Sequence, residues 1–146
     1  MKIGSDLASL TSVYFDTNAF IYLIDGTRAF RQLSASIFST CVDAGVDIRT
    51  SELSLAECLI KPKRQQDTAR VGQYRSFFEQ FSPTPIAPST LDAASTIAAD
   101  RSIKLIDAIH VATALELRCD GFLTNDEKLA NRIIDPTPIL LSSLEA

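Results

Sequence analysis

Val13-Tyr14-Phe15-Asp16-Thr17-Asn18 decides how this chain folds. An apolar run without polar alternation suits a strand buried on both faces. The acid and the small polar residues that end it suit the start of a helix. The first strand is therefore predicted at Ser12–Phe15, with a short helix over residues 19–24 stopped by Asp25-Gly26. A strand that hands over directly to a helix opens a βα unit.

The pattern repeats downstream. Phe30, Leu33, Ile37, Cys41 and Val42 recur at helical spacing, and Gly45 ends that helix. Residues 46–50 read as a second strand. A helix from Ser51 or Ser54 to Ile60 is expected to break before Pro62. Val71, Tyr74, Phe78 and Phe81 mark another amphipathic helix. Residues 82–88 are rich in proline and read as a loop with a short extended piece around Ile86. Leu91, Ala94, Ile97 and Ala98 give the next helix, and residues 106–117 a strongly apolar one. A strand at residues 121–124, a short helix over 125–131 and a final strand at 138–141 complete the chain. Strands separated by helices predict an α/β fold, a parallel sheet with helices on both faces. Ligands of such sheets bind beyond the carboxyl ends of the strands, where Asp16 and Asp126 fall.

Composition narrows the chemistry. The 146 residues are most simply one domain spanning 1–146, with residues 1–11 a poorly ordered extension. At 46% apolar residues the chain can build a core, but no run approaches the ~20 residues that span a bilayer. The N-terminus lacks a signal-like apolar segment, so a cytoplasmic location is expected. Cys41, Cys58 and Cys119 each lie within an apolar pattern and read as buried thiols. With His110 the one histidine, a metal would be held mainly by oxygen, which points to Mg²⁺ or Mn²⁺. The net charge of −4 argues against non-specific nucleic-acid binding. Even so, Lys61, Lys63, Arg64, Arg70 and Arg75 crowd one segment and are candidate phosphate contacts; a solvated helix face is the plainer reading.

Asp16, Glu57, Asp107 and Asp126 are the candidate catalytic and metal-binding acids. Each sits in or beside apolar sequence, where an ionised carboxylate is costly without compensation. Asp16 serves either as a helix N-cap or as a metal ligand, with Asn18 placed to fix its rotamer. Ser54-Leu55-Ala56-Glu57 fits a capping box, so spacing alone leaves Glu57 between cap and site. Asp107, next to Ile106, Ala108 and Ile109, is expected to be deeply buried, at a cost above the ~0.3–1 kcal/mol that a helix dipole returns. Thr124 with Glu127 forms a second capping-box pattern that leaves Asp126 free, and the Thr124 hydroxyl could orient a metal-bound water. His110, one turn beyond Asp107, reads first as a packed residue and only second as a catalytic one. Asp25, Asp100, Asp120, Asp135 and Glu116 read as solvent-facing or turn residues.

Together these motifs resemble a PIN domain. The resemblance rests on residues 13–22, Glu57, Asp107-Ala108-Ile109-His110-Val111-Ala112-Thr113-Ala114 and Leu123-Thr124-Asn125-Asp126. Their order and spacing are similar to those of small PIN ribonucleases, the VapC-type toxins of bacterial toxin–antitoxin pairs. The resemblance implies a three-layer α/β/α fold with a central parallel sheet. It implies Mg²⁺- or Mn²⁺-dependent hydrolysis of RNA phosphodiesters with one or two ions. It carries Asp16, Glu57, Asp107 and Asp126 over as the acidic quartet, with Asn18 and Thr124 in support. A homodimer and a cognate antitoxin are further implications.

Two rival readings differ in class. In an aspartyl-phosphate phosphatase a second Asp would stand two residues after the first, where this chain has Asn18. A non-catalytic RNA- or protein-binding PIN-like module would have lost acids of the quartet, which here is intact.

Overall fold

The computed structural model describes residues 7–144. Strands β1 (Ser12–Phe15), β2 (Asp47–Arg49), β3 (Gly121–Thr124) and β4 (Thr137–Leu140) form a four-stranded sheet in the order β2-β1-β3-β4. Every pairing in it is parallel. Among the described residues the helices are α1 (Thr17–Asp25), α2 (Arg28–Ala44), α3 (Glu52–Arg64), α4 (Thr68–Glu79), α5 (Pro88–Arg101), α6 (Leu105–Glu116) and α7 (Glu127–Ala130). They flank the sheet in three α/β/α layers, as the alternation of elements predicts.

The twofold period of the strands sorts the two cores. Val13, Phe15 and Leu123 face one side and pack with Phe20, Ile37, Phe38, Tyr74 and Phe78 from α1 to α4. Tyr14 and Phe122 face the other side and pack with Val111, Ala114 and Leu129 from α6 and α7. Phe20 stacks on Phe78 with ring centroids 4.3 Å apart and meets Phe15 and Phe38 edge-on. Such pairs contribute about 0.5–1.5 kcal/mol each beyond their buried area. All residues of β1 and β3, the central strands, are buried. The three cysteines are buried free thiols, as expected.

Short polar devices set the strand starts. Asp120 accepts the backbone N–H groups of Thr11 and Ser12 at 2.9 and 2.8 Å, which holds the start of β1 beside that of β3. At Gly121, the next residue, a Cβ would lie 2.7 Å from Leu10 Cδ1, so a larger residue there would push the Leu10 side chain aside. Gly45 closes α2 in the left-handed region at φ 72°, a conformation that favours glycine.

Several boundaries depart from the sequence expectations. α3 does not stop before Pro62 but carries it in its last turn; the ring is buried, and the Pro62 carbonyl accepts the N–H of Asp67 at 2.8 Å. Burial and this onward bond offset the donor that proline lacks. Pro88 belongs to α5 as its first residue, where a missing N–H costs nothing. The extended piece in the proline-rich stretch is at Thr84, bridged in parallel to Ser51, rather than around Ile86. Residues 1–6 of the expected N-terminal extension lie outside the described residues. Residues 7–11 are not loose: Leu7 is fully buried in the core and its carbonyl accepts the N–H of Leu10. No helix among the described residues is long and apolar enough to cross a membrane.

Candidate active site

Asp16 leaves the carboxyl end of β1 with its side chain held from two sides. Its Oδ1 accepts the N–H of Thr17 at 2.7 Å, and its Oδ2 accepts the Thr124 hydroxyl at 2.8 Å. The residue is buried and stands at the N-cap of α1, so capping geometry and an inward-facing carboxylate coexist. Thr124 ends β3 and also accepts the N–H of Asp126 at 3.1 Å. Its hydroxyl is thereby fixed as a donor to Asp16. It aligns a carboxylate here, rather than forming a capping box with Glu127.

Glu57 lies well inside α3, whose N-cap is Ser51. The capping-box reading therefore fails, because the helix starts upstream of Ser54. The Glu57 carboxylate instead crosses to α1 and α6. Its Oε1 accepts the Thr17 hydroxyl at 2.7 Å and lies 2.5 Å from His110 Nε2. His110 is buried, with Nδ1 2.7 Å from the Tyr14 hydroxyl, which is 2.8 Å from Ser51 Oγ. Burial alone would push the His110 pKa down. The Glu57 hydrogen bond and the charges of Asp16, Glu57 and Asp107 outweigh it and hold the imidazole above its ordinary value. Burial pushes Glu57 up, but the bonds from His110 and Thr17 reverse that and leave its carboxyl below the usual range. Burial drives the Tyr14 phenol far upward, so it keeps its proton. His110 Nε2 donates to the Glu57 carboxylate, and Nδ1, the Tyr14 hydroxyl and Ser51 Oγ continue the hydrogen-bonded chain.

Asp107 and Asp126 form a more open flank. Asp107 lies in the first turn of α6 and is half-buried rather than deeply buried. The apolar sequence around it misleads because Leu105 and Ile106 are exposed at 51% and 44%, and the buried face of α6 begins at Ala108. Burial, then the charges of Asp16 and Asp126, push the Asp107 carboxyl above its ordinary value. Glu57 adds to this and His110 opposes it, so Asp107 senses all three other acids. Asp126 is exposed; it caps α7 by accepting the N–H of Leu129 at 3.1 Å, so it is not free of capping. Both acids line one cleft of about 260 Å³ together with Lys104, Lys128 and Arg132.

The remaining candidates divide. Asn18 does not touch a carboxylate. Its Oδ1 accepts the N–H of Asn125 at 3.0 Å, tying α1 to the turn after β3. Arg70 is held within the molecule, 3.3 Å from Asp25 and bonded to the carbonyl of Ile24. Asp25 is accordingly a partly buried partner, which also accepts the Tyr74 hydroxyl at 2.5 Å, rather than a solvent-facing residue. Lys61, Lys63, Arg64 and Arg75 are exposed, and none lines the cleft of Asp107 and Asp126. Thr17, Tyr14 and Ser51 escaped the sequence reading as site residues, whereas His110 is the packed, hydrogen-bonded residue that reading put first. The available signal was Tyr14, a phenol within an otherwise hydrocarbon strand that needs a buried partner.

The nearest donors gather tightly: oxygens of Asp16 and Glu57 and a ring nitrogen of His110 lie within 4.8 Å of one another. This arrangement at the carboxyl end of a parallel strand agrees with the family comparison, in which the PIN domain model matches residues 13–133. The chain belongs to the PIN domain family. Two solved structures share the fold. One is a toxin–antitoxin complex from Klebsiella pneumoniae, with TM-score 0.67 and 21% identity over 88% of this chain and 97% of the other. The second is VapBC2 from Rickettsia felis bound to a DNA fragment from its promoter, with TM-score 0.68 and 16% identity over 92% and 97%. No curated protein sequence matches the chain significantly.

Proposed function

We propose that this PIN domain is a metal-dependent ribonuclease, the toxin of a toxin–antitoxin pair, working in the cytoplasm as a homodimer under the control of a cognate antitoxin. Asp16, Glu57, Asp107 and Asp126 are its acids. Membership of the PIN family supports nuclease chemistry. The toxin–antitoxin complexes among the structural neighbours support the antitoxin partner. The observation that carries the reading is the gathering of Asp16, Glu57 and His110 donor atoms within 4.8 Å, beside a half-buried Asp107 that feels unbalanced negative charge.

The donor set fits a hard divalent cation. The carboxylates of Asp16, Glu57, Asp107 and Asp126 would hold it, while His110 is committed to Glu57 and Tyr14. A bound Mg²⁺ or Mn²⁺ would supply Lewis-acid neutralisation of phosphate charge and a more acidic water. Thr124 and the Thr17 N–H keep Asp16 in one rotamer before substrate arrives. Thr17 and His110 do the same for Glu57, and both engage Oε1. The depressed pKa of Glu57 suits cation holding better than proton acceptance. The surroundings of Asp107 raise its affinity for a proton, which suits it to accept one.

The deciding experiment uses protein freed of any bound inhibitor, labelled RNA, and Mg²⁺ with and without chelator. Cleavage should require the metal and disappear in Asp16→Asn. Cleavage undiminished by both the variant and the chelator would overturn the proposal.

A further inference from the structure

The cleft beside Asp107 and Asp126 holds charges of both signs that stay unpaired. Lys104 immediately precedes α6, Lys128 lies within α7, and Arg132 follows α7; all three line the cleft with the two acids. Among the described residues no ion pair within 4 Å joins any of these cations to a carboxylate. Arg132 is steadied by donating to the carbonyl of Ser102. Lys104 and Lys128 are exposed, which leaves their ammonium groups available to a ligand. Exposed ammonium groups beside solvated carboxylates gain little by pairing, so they remain free to meet a ligand that carries both signs. A phosphodiester strand with its cation is such a ligand.

We propose that Lys104 and Lys128, braced by Arg132, seat an RNA phosphate next to the one that is cut. The strand then enters over the α6–α7 flank, and its backbone charge is matched before the scissile group reaches the acids. The proposal rests on the ribonuclease reading and names how that site grips its substrate. It also moves the expected RNA contact away from Lys61, Lys63, Arg64 and Arg75. Those exposed side chains lie outside the cleft, and Lys63 and Arg75 border a separate groove with Leu59 and Ile60.

The probe is a fluorescein-labelled, 2′-O-methylated single-stranded oligonucleotide of mixed sequence, which binds without being cut. Anisotropy is followed in Mg²⁺ across a salt series. Each phosphate contact contributes about 0.7 to the log–log salt slope for a single strand. Because both lysines serve one phosphate, K104Q/K128Q should flatten the slope by about 0.7 and weaken binding uniformly across sequences, while K104R/K128R restores it. With cleavable RNA, the Gln variant should raise KM far more than it lowers kcat. Both side chains are exposed, and an unchanged circular dichroism spectrum verifies the fold. An unchanged slope in K104Q/K128Q alongside a reduced one in K61Q/K63Q overturns the phosphate seat while leaving the ribonuclease reading intact. Wild-type protein that neither binds the oligonucleotide nor cuts RNA in Mg²⁺ sinks both. Unchanged RNA binding in K104Q/K128Q, with loss of affinity for an acidic peptide, also overturns the proposal and assigns the lysines to a protein partner.

Discussion

The two flanks of the candidate site are built on opposite principles. On the β1 side, Asp16 and Glu57 are locked by Thr17, Thr124 and His110, with distances from 2.5 to 2.8 Å. On the α6–α7 side, Asp107 is half-buried with a carboxyl pushed up by burial and by its acidic neighbours, and Asp126 is exposed. The first flank is compensated by the protein itself; the second awaits compensation from outside. On the proposed reading, preorganised carboxylates next to open ones would hold a cation and leave one side free for substrate.

The largest effect should come from breaking the locked flank at its centre. Asp16→Asn should lower RNA cleavage by about 10²- to 10³-fold or more, the scale for losing a preorganised charged group, as read by single-turnover kinetics at saturating Mg²⁺. Thr124→Val keeps the shape and removes the hydroxyl that aligns Asp16. About 10- to 100-fold should be lost in metal affinity or activity, measured by titrating Mg²⁺ into the cleavage assay. An apparent Mg²⁺ affinity and rate equal to wild type would mean that Asp16 needs no such support.

The open flank should respond in the opposite sense when stability is read without metal. A carboxyl whose folded pKa is raised destabilises the fold once it ionises. That penalty is absent below the folded and unfolded pKa values, grows as pH rises through them, and persists above. Asp107→Asn should therefore melt a few degrees higher than wild type in chelator at pH 7. The difference should vanish as the pH falls below the ordinary carboxylate value of ~3.9. Excess Mg²⁺ should shrink or invert the gap, because only wild type keeps the full ligand set. A lower melting temperature for Asp107→Asn in chelator at neutral pH would show that its charge is already compensated.

The same contrast explains what could be read without coordinates. Apolar runs and their ends placed β1, β3 and the acids beside them, because burial on both faces leaves a plain signature in residue type. Boundaries slipped where tertiary contacts took over: Pro62 stays helical because its ring is buried, and Pro88 starts a helix because that position needs no donor. At Asp107 the surrounding hydrocarbon suggested depth, yet which face of α6 is covered depends on helix packing rather than on composition. The hydrogen-bonded frame was least legible. Tyr14, Thr17, His110 and Thr124 come from four elements, β1, α1, α6 and β3, and no local spacing rule joins Tyr14 to His110 across 96 residues.

That frame has its own test, with the smallest expected effect. His110 and Glu57 hold each other charged, so their coupling should stabilise the metal-free fold only within a pH window. The raised His110 contributes fully below its ordinary value of ~6.5, and the contribution fades as pH rises through its higher folded pKa. The depressed Glu57 contributes above its ordinary value of ~4.3, and the contribution fades as pH falls through its lower folded pKa. The pair's contribution to denaturant midpoints in chelator should be largest between these limits, superposed on the decline that Asp107 adds as pH rises. His110→Gln keeps hydrogen-bonding capacity but not charge, and should flatten the high-pH limb while moving the Asp107 limb to higher pH, because the charge that opposed its raised pKa is gone. If the high-pH decline survives in His110→Gln, another group drives it, and the locked flank owes its order to the Thr17 and Thr124 hydroxyls rather than to the buried imidazolium.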